Sequence, residues 1–122
     1  MLTIRTERDS KVMKWNGEAI SSTVDVEYFK TVVPNPSGTI FMVGLGWGND
    51  ALYCLDQPEV TLLVVVEQHQ EVIDLFYENN PHLKGDTRLL ILHNTYTPSV
   101  APSFISTFDM VIDSRFEYKI LS

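Results

Sequence analysis

Basic residues, cysteine and long apolar runs are all scarce in this sequence. Nine Lys and Arg stand against sixteen Asp and Glu among 122 residues, which gives a formal net charge of −7. Nucleic acid and anionic membranes attract basic surfaces, so we expect neither as a partner. The single cysteine, Cys54, excludes an internal disulfide and a cysteine-based zinc site. The longest apolar run, at 60–66, is far shorter than the roughly 20 residues that span a bilayer. The N-terminus has no secretory-signal pattern, so we expect a cytoplasmic protein with one real core.

The one clear break in composition is the Pro/Gly/Ser/Asn cluster at 33–38, which is typical of a connector. It divides a small N-terminal module (1–33) from a longer α/β segment (39–122). In the second segment strand candidates alternate with helix candidates, namely strands at 39–43, 60–66, 87–92 and 108–112 and helices at about 50–55 and 71–77. This alternation predicts βαβ units and a parallel sheet.

The N-terminal module has a different pattern of apolar and polar residues. Apolar and polar residues alternate at 2–6 and again at 11–15, and the turn dipeptide at 16–17 follows. This pattern predicts two or three small antiparallel strands, with a short helix after them. Side-chain caps are predicted for two helices, with Ser22 or Thr23 at the start of the first and Asn49 or Asp50 at the start of the second.

A glycine-rich loop directly follows the first strand of the α/β segment and opens a helix. Its glycines are Gly44, Gly46 and Gly48, and Trp47 stands between the last two. Glycines at this point allow a tight turn and the close approach of a ligand to the backbone. Glu67 ends the next strand, at the spacing where an acidic residue would hold the hydroxyl pair of a ribose. The spacing therefore favours a nucleoside site, and a plain tight turn is the alternative.

Three stretches resemble the spermidine synthase family of aminopropyltransferases, which share the S-adenosylmethionine-dependent methyltransferase fold. They are the strand–turn segment at 14–17 with the acidic residue Asp25 after it, the loop, helix and strand at 40–67, and the strand at 108–114. The resemblance runs from about residue 11 to Ser114. It implies a Rossmann-like parallel sheet, truncated after its fourth strand, with a small N-terminal β element.

The resemblance also implies a site. Gly44, Gly46, Trp47 and Gly48 would form the cofactor loop, Glu67 would bind ribose, Asn94 would lie near adenine, and Asp113 would deprotonate the attacking amine. The ligand would be S-adenosylmethionine or its decarboxylated form, with a polyamine as the acceptor and no metal.

The sequence also departs from the family. Trp47 replaces an aspartate that holds the aminopropyl side of the ligand, and Ile20 replaces a glutamine of the polyamine site. Family members continue well beyond the point where this chain ends, nine residues after Asp113. Trp47 could stack on a base or a sulfonium, or it could fill space. His69, His82 and His93 have no metal-ligand spacing, so we interpret them as ordinary surface or loop residues.

Three functions are consistent with these observations. The first is aminopropyl transfer, the second is a degenerate, non-catalytic protein that acts through assembly or partner binding, and the third is another S-adenosylmethionine-dependent methyl transfer. Family strand order would leave the fourth strand, 108–112, without a neighbour on its outer side. An open edge of this kind favours pairing with another chain, so we predict a homo-oligomer. Cys54 is expected to lie in the core.

Overall fold

The N-terminal module folds as a three-stranded antiparallel sheet. The computed structural model describes residues 1–7, 10–96, 106–114 and the backbone of 119–120. The strands β1 (Leu2–Glu7), β2 (Ser10–Trp15) and β3 (Glu18–Ser22) are adjacent in chain order. Asn16 and Gly17 both have positive φ, at 50° and 86°, the conformation that a two-residue hairpin turn needs. The predicted strands and turn of this module are therefore confirmed.

The α/β segment forms a second sheet whose first four strands are parallel. Its strands are β4 (Gly38–Val43), β5 (Val60–Glu67), β6 (Leu89–His93), β7 (Met110–Asp113) and β8 (Lys119–Ile120). Their order is β6-β5-β4-β7-β8. The parallel α/β architecture predicted from the alternating pattern is confirmed. Because β4 is followed by β5 on one side and lies beside β7 on the other, the strand order reverses at β4, and crevices for ligands form at the carboxyl end of such a point.

The outer edge of β7 has a partner strand at its last two residues, which corrects the prediction that the fourth strand has no neighbour there. β8 pairs with it antiparallel, Ile120 opposite Ile112 and Lys119 opposite Asp113. A strand of two residues is too short to produce a periodic pattern in the sequence, so it was not predicted. The premise that β7 has no neighbour within the chain is therefore wrong, and the homo-oligomer itself stays a prediction.

In the described part of the chain, three helices and a short 3-10 turn connect the strands. They are α1 (Asp25–Val32), α2 (Asn49–Leu55), α3 (Gln70–Asn79) and the 3-10 turn Pro81–Leu83. The predicted side-chain caps are wrong, because the capping positions are Val24 for α1 and Gly48 for α2, and neither helix has a side-chain cap. The predicted cap Thr23 is used elsewhere, since its hydroxyl accepts the Lys11 N–H at 2.9 Å. Asn49 instead donates its side-chain amide to the Thr23 carbonyl at 3.5 Å.

The two faces of the parallel sheet carry separate apolar clusters. Ile40 and Met42 of β4 belong to the larger cluster, and Phe41 and Val43 belong to the smaller one. This alternation buries β4 on both faces, as expected for a strand inside a parallel sheet. Residues from both predicted modules meet in the larger cluster, namely Met13, Phe29 and Val33 together with Cys54, Val65, Val72 and Phe76. Within the described residues, no helix is long and apolar enough to cross a membrane.

Candidate functional site

A cleft opens at the carboxyl ends of β4 and β5. Its walls come from the glycine loop, the end of β5, the segment after β6, Ser114, and the N-terminal module. The lining residues are Ile20, Ser21, Ser22, Asp25, Val43, Gly44, Leu45, Gly46, Trp47, Gly48, Asn49, Asp50, Val66, Glu67, Gln68, His69, Asn94, Thr95, Tyr96 and Ser114. The structure thus brings together Gly44, Gly46, Trp47, Gly48, Glu67 and Asn94. Asp113 is not among the described lining residues, and its neighbour Ser114 is.

Gly46 and Gly48 shape the loop that crosses the floor of this cleft. Both have positive φ, at 54° and 84°, a conformation that side chains with a Cβ rarely adopt. A Cβ at Gly46 would also overlap Ser21, and one at Gly48 would overlap the ring of Phe76. The loop therefore needs glycine for two reasons, its backbone conformation and the close packing on either side of it.

Glu67 is the one buried charged side chain among the described residues, with 6% of its surface exposed. Its Oε1 accepts the Leu45 N–H at 2.9 Å, and its Oε2 accepts the His69 N–H at 2.9 Å. A buried charge is costly unless hydrogen bonds compensate it, and these two donors supply that compensation. An ionised carboxylate offers about four acceptor positions, so these two bonds leave capacity for two further donors from the cleft.

Trp47 occupies the middle of the glycine loop. Its backbone N–H donates to the Ser21 hydroxyl at 3.1 Å, and its side chain packs against the larger apolar cluster. Among the described residues its Nε1 is buried without a hydrogen-bond partner. Because the single polar atom of the indole is buried, the indole can present only carbon atoms to the cleft.

Polar groups from the two outer parallel strands complete the floor. Asn94 follows β6, and its N–H donates to the Glu67 carbonyl at 3.1 Å. Its side-chain oxygen accepts the Thr95 N–H at 2.8 Å, which orients the amide. On the other side, the Ser114 hydroxyl lies 2.9 Å from the Gly44 carbonyl and 3.1 Å from the Val43 carbonyl. Ser114 thereby fixes the first residues of the glycine loop.

The N-terminal module forms part of the cleft wall through Ile20, Ser21, Ser22 and Asp25. Sequence reasoning connected this module to the site only at Ile20, where the resemblance places a glutamine of the polyamine site. Ser21 contacts the loop through the bond to Trp47, and His69 stacks against Trp15 of β2 with ring centroids 3.9 Å apart. His69 lies in the loop before α3, in agreement with its interpretation as a surface or loop residue, and it also lines the cleft. No local pattern marks Ser21, Trp15 or His69, since their contacts depend on how the N-terminal sheet packs against the loops after β4 and β5.

The charged residues that line the cleft are acidic. Asp25, Asp50 and Glu67 are its charged lining residues among those described. No group of three or more His, Cys, Asp or Glu side chains comes together as a metal-ligand set in the described part of the chain. Cys54 is fully buried, as predicted. Burial, with a smaller contribution from the charge of Asp50, raises the pKa of its thiol to about 12, so it is a neutral core residue and not a nucleophile.

Known structures share this fold. No protein-family model matches the chain, and no curated protein matches it in sequence. A spermidine synthase in complex with the transition-state analogue AdoDATO and the spermidine synthase from Thermotoga maritima both superpose with a TM-score of 0.58 at 18% identity, over 76% and 77% of this chain. A protein-L-isoaspartate O-methyltransferase superposes with a TM-score of 0.53 at 17% identity, over 93% of this chain.

The superpositions define the class of fold, a Rossmann-like sheet of the methyltransferase type. At 17–18% identity they establish the fold and leave the activity open. The chain spans 36% of the length of each of the two spermidine synthases and 34% of the methyltransferase.

Proposed function

We propose that the chain binds an S-adenosyl nucleoside in this cleft, either S-adenosylmethionine or its decarboxylated form. The observation that carries the proposal is Glu67, a buried carboxylate held by two backbone N–H groups at the cleft. Its two remaining acceptor positions suit the neighbouring hydroxyls of a ribose. Asn94 would face the adenine, since an amide both donates and accepts, and the glycine loop would lie along the sulfur side.

The acidic lining supports the decarboxylated form as the preferred ligand. S-adenosylmethionine carries a carboxylate, whereas its decarboxylated form carries only positive charge. Asp25 and Asp50 line the cleft together with Glu67, and their negative charges attract a cationic ligand. A methyltransferase would instead prefer S-adenosylmethionine, so the order of the two affinities separates these activities.

Trp47 is expected to distinguish a sulfonium from a neutral thioether. A cation over an indole face gains roughly 0.5–2 kcal/mol, so Trp47→Leu should weaken S-adenosylmethionine by about twofold to thirtyfold. The affinity for S-adenosylhomocysteine, which has no positive sulfur, should stay nearly constant. Titration of both ligands measures this ratio, with Trp47→Phe as the control that keeps an aromatic face. An equal loss for both ligands would contradict a role for Trp47 in sensing the charge.

The reaction that we assign to the site is aminopropyl transfer to a polyamine. A neutral amine forms a bond to the carbon next to the sulfonium, the carbon–sulfur bond breaks, and a nucleoside thioether leaves. Asp113 would accept the proton of the attacking amine, as the resemblance implies. Its backbone lies beside Val43, the last residue of β4, and the next residue, Ser114, lines the cleft.

Replacing Asp113 with Asn should leave nucleoside binding intact and lower turnover. A general base contributes about a hundredfold to ten-thousandfold, so the rate of aminopropyl transfer to putrescine should fall by that factor. The measurement is product formation by mass spectrometry at saturating donor. Asp74→Asn, an exposed change on α3, serves as the control. Wild-type turnover by the Asp113 variant would remove Asp113 from the mechanism.

A second candidate is nucleoside binding without turnover. The observation that favours it is the position of Asp113 outside the set of described lining residues. Ile20 supports it as well, because an apolar side chain stands in the wall where the resemblance places a polar contact to the polyamine. A protein of this kind would bind the nucleoside with the same dependence on Glu67 and form no product with any amine.

A further inference from the structure

One aromatic contact between the N-terminal sheet and the loop before α3 has no part in the proposed function so far. Trp15, the last residue of β2, stacks on His69 with ring centroids 3.9 Å apart and planes 20° from parallel. A polar contact lies beside the stack, since the Leu2 N–H donates to the Glu71 carboxylate at 3.4 Å and Leu2 is the β1 partner of Trp15. The corner of the N-terminal sheet therefore rests on the start of α3.

His69 connects this contact to the cleft. Its N–H donates to Oε2 of Glu67 at 2.9 Å, which fixes one of the two carboxylate oxygens. Its carbonyl accepts the Val72 N–H at 3.0 Å in the first turn of α3. The ring that stacks on Trp15 and the peptide that holds Glu67 thus belong to one residue.

Anchoring the N-terminal sheet does not depend on this stack. Met13 of β2 is fully buried in the larger apolar cluster. On the glycine-loop side, the Ser21 hydroxyl of β3 accepts the Trp47 N–H at 3.1 Å. The sheet therefore has a core anchor and a polar anchor apart from Trp15, so attachment alone does not explain the position of the indole on His69.

We propose that Trp15 is a positioning residue for ribose recognition. The stack holds His69 so that its N–H keeps the Glu67 carboxylate aimed into the cleft, and Trp15 acts on the ligand through these two residues without touching it. This inference rests on the proposed function, in which Glu67 binds the ribose hydroxyls. It assigns part of nucleoside recognition to the N-terminal sheet.

The test compares two nucleosides that differ only in the hydroxyls that Glu67 would bind. Titration of the full chain with adenosine and with 2′,3′-dideoxyadenosine gives the contribution of the hydroxyl pair as a ratio of affinities. Trp15→Leu removes the stacking ring and should weaken adenosine by about fivefold, the size of coupling expected between residues in contact. The affinity for dideoxyadenosine should not change. Trp15→Phe keeps a stacking ring and should therefore retain most of the wild-type ratio of the two affinities.

Two further variants separate positioning from general loosening of the sheet. Ile4→Ala alters an exposed residue of β1 away from the stack and should leave the ratio at its wild-type value. His69→Ala removes the imidazole and keeps the peptide N–H, so it should lower the ratio as Trp15→Leu does. If Trp15→Leu does not fold, His69→Ala takes its place in the comparison with Trp15→Phe.

The proposal is overturned if Trp15→Leu and His69→Ala leave the ratio unchanged, or if either weakens both nucleosides equally. It is also overturned if Ile4→Ala lowers the ratio as much as they do. Failure of the proposed function has a different signature, because the wild-type chain would then bind adenosine no better than dideoxyadenosine.

Discussion

Replacing Glu67 with Gln is expected to weaken the binding of 5′-methylthioadenosine by at least about a hundredfold. The carboxylate would make two hydrogen bonds to ribose, and hydrogen bonds to charged groups are worth about 1.5–3 kcal/mol each. Gln also places an NH₂ donor against one of the two N–H groups, of Leu45 or His69, that the carboxylate now accepts. The change therefore removes the charge, one acceptor and the orientation of the side chain together.

Calorimetric titration of the Glu67→Gln variant measures this loss, and circular dichroism checks that the fold is kept. Glu78→Gln is the matched control, since it makes the same chemical change at an exposed position of α3 and should bind as the wild type does. Binding by Glu67→Gln at wild-type affinity would mean that the buried carboxylate only stabilises the loop and that other residues bind the ligand.

Replacing Gly48 with Ala should destabilise the fold by about 2–5 kcal/mol. Gly48 has φ +84°, and a Cβ there would overlap the buried ring of Phe76. The left-handed conformation costs roughly 1–2 kcal/mol for a residue with a Cβ, and forcing an extra atom into a packed core costs about 1–3 kcal/mol more.

Gly85 provides a close control for this change. It has nearly the same backbone conformation, φ +82°, and a Cβ there would meet nothing within 4 Å. Gly85→Ala should therefore show the backbone cost alone, and the difference between the two free energies of unfolding isolates the collision with Phe76. Urea unfolding of both variants measures it, and equal destabilisation would show that Phe76 moves aside at no cost.

The parallel sheet could be predicted from the sequence because its strands are apolar on both faces. β4 and β5 lie in the interior, so their residues form continuous apolar runs that end where the chain reaches the cleft. Glu67 stands out for the same reason, as a charged residue directly after such a run. One helix and one strand separate Glu67 from the glycine loop, and both elements can be recognised from their local sequence. The number of residues between the loop and Glu67 could therefore be interpreted from the sequence alone.

Features that depend on packing between distant segments could not be predicted. Polar residues near the starts of α1 and α2 were predicted to cap these helices, but Thr23 bonds to β2, and Asn49 is the first residue of α2 and bonds to the N-terminal module. The stack of Trp15 on His69 joins residues far apart in the chain, and nothing near either residue indicates the other. The short strand β8 has too few residues for any periodicity.

Titration of the wild-type chain with S-adenosylmethionine, its decarboxylated form and 5′-methylthioadenosine tests the central claim most directly. We expect saturable binding with one site per chain, with the decarboxylated form bound most tightly because of the acidic lining. Preference for S-adenosylmethionine would keep the nucleoside site and assign the chain to methyl transfer. No binding of any of the three ligands at millimolar concentration would contradict a nucleoside site at Glu67.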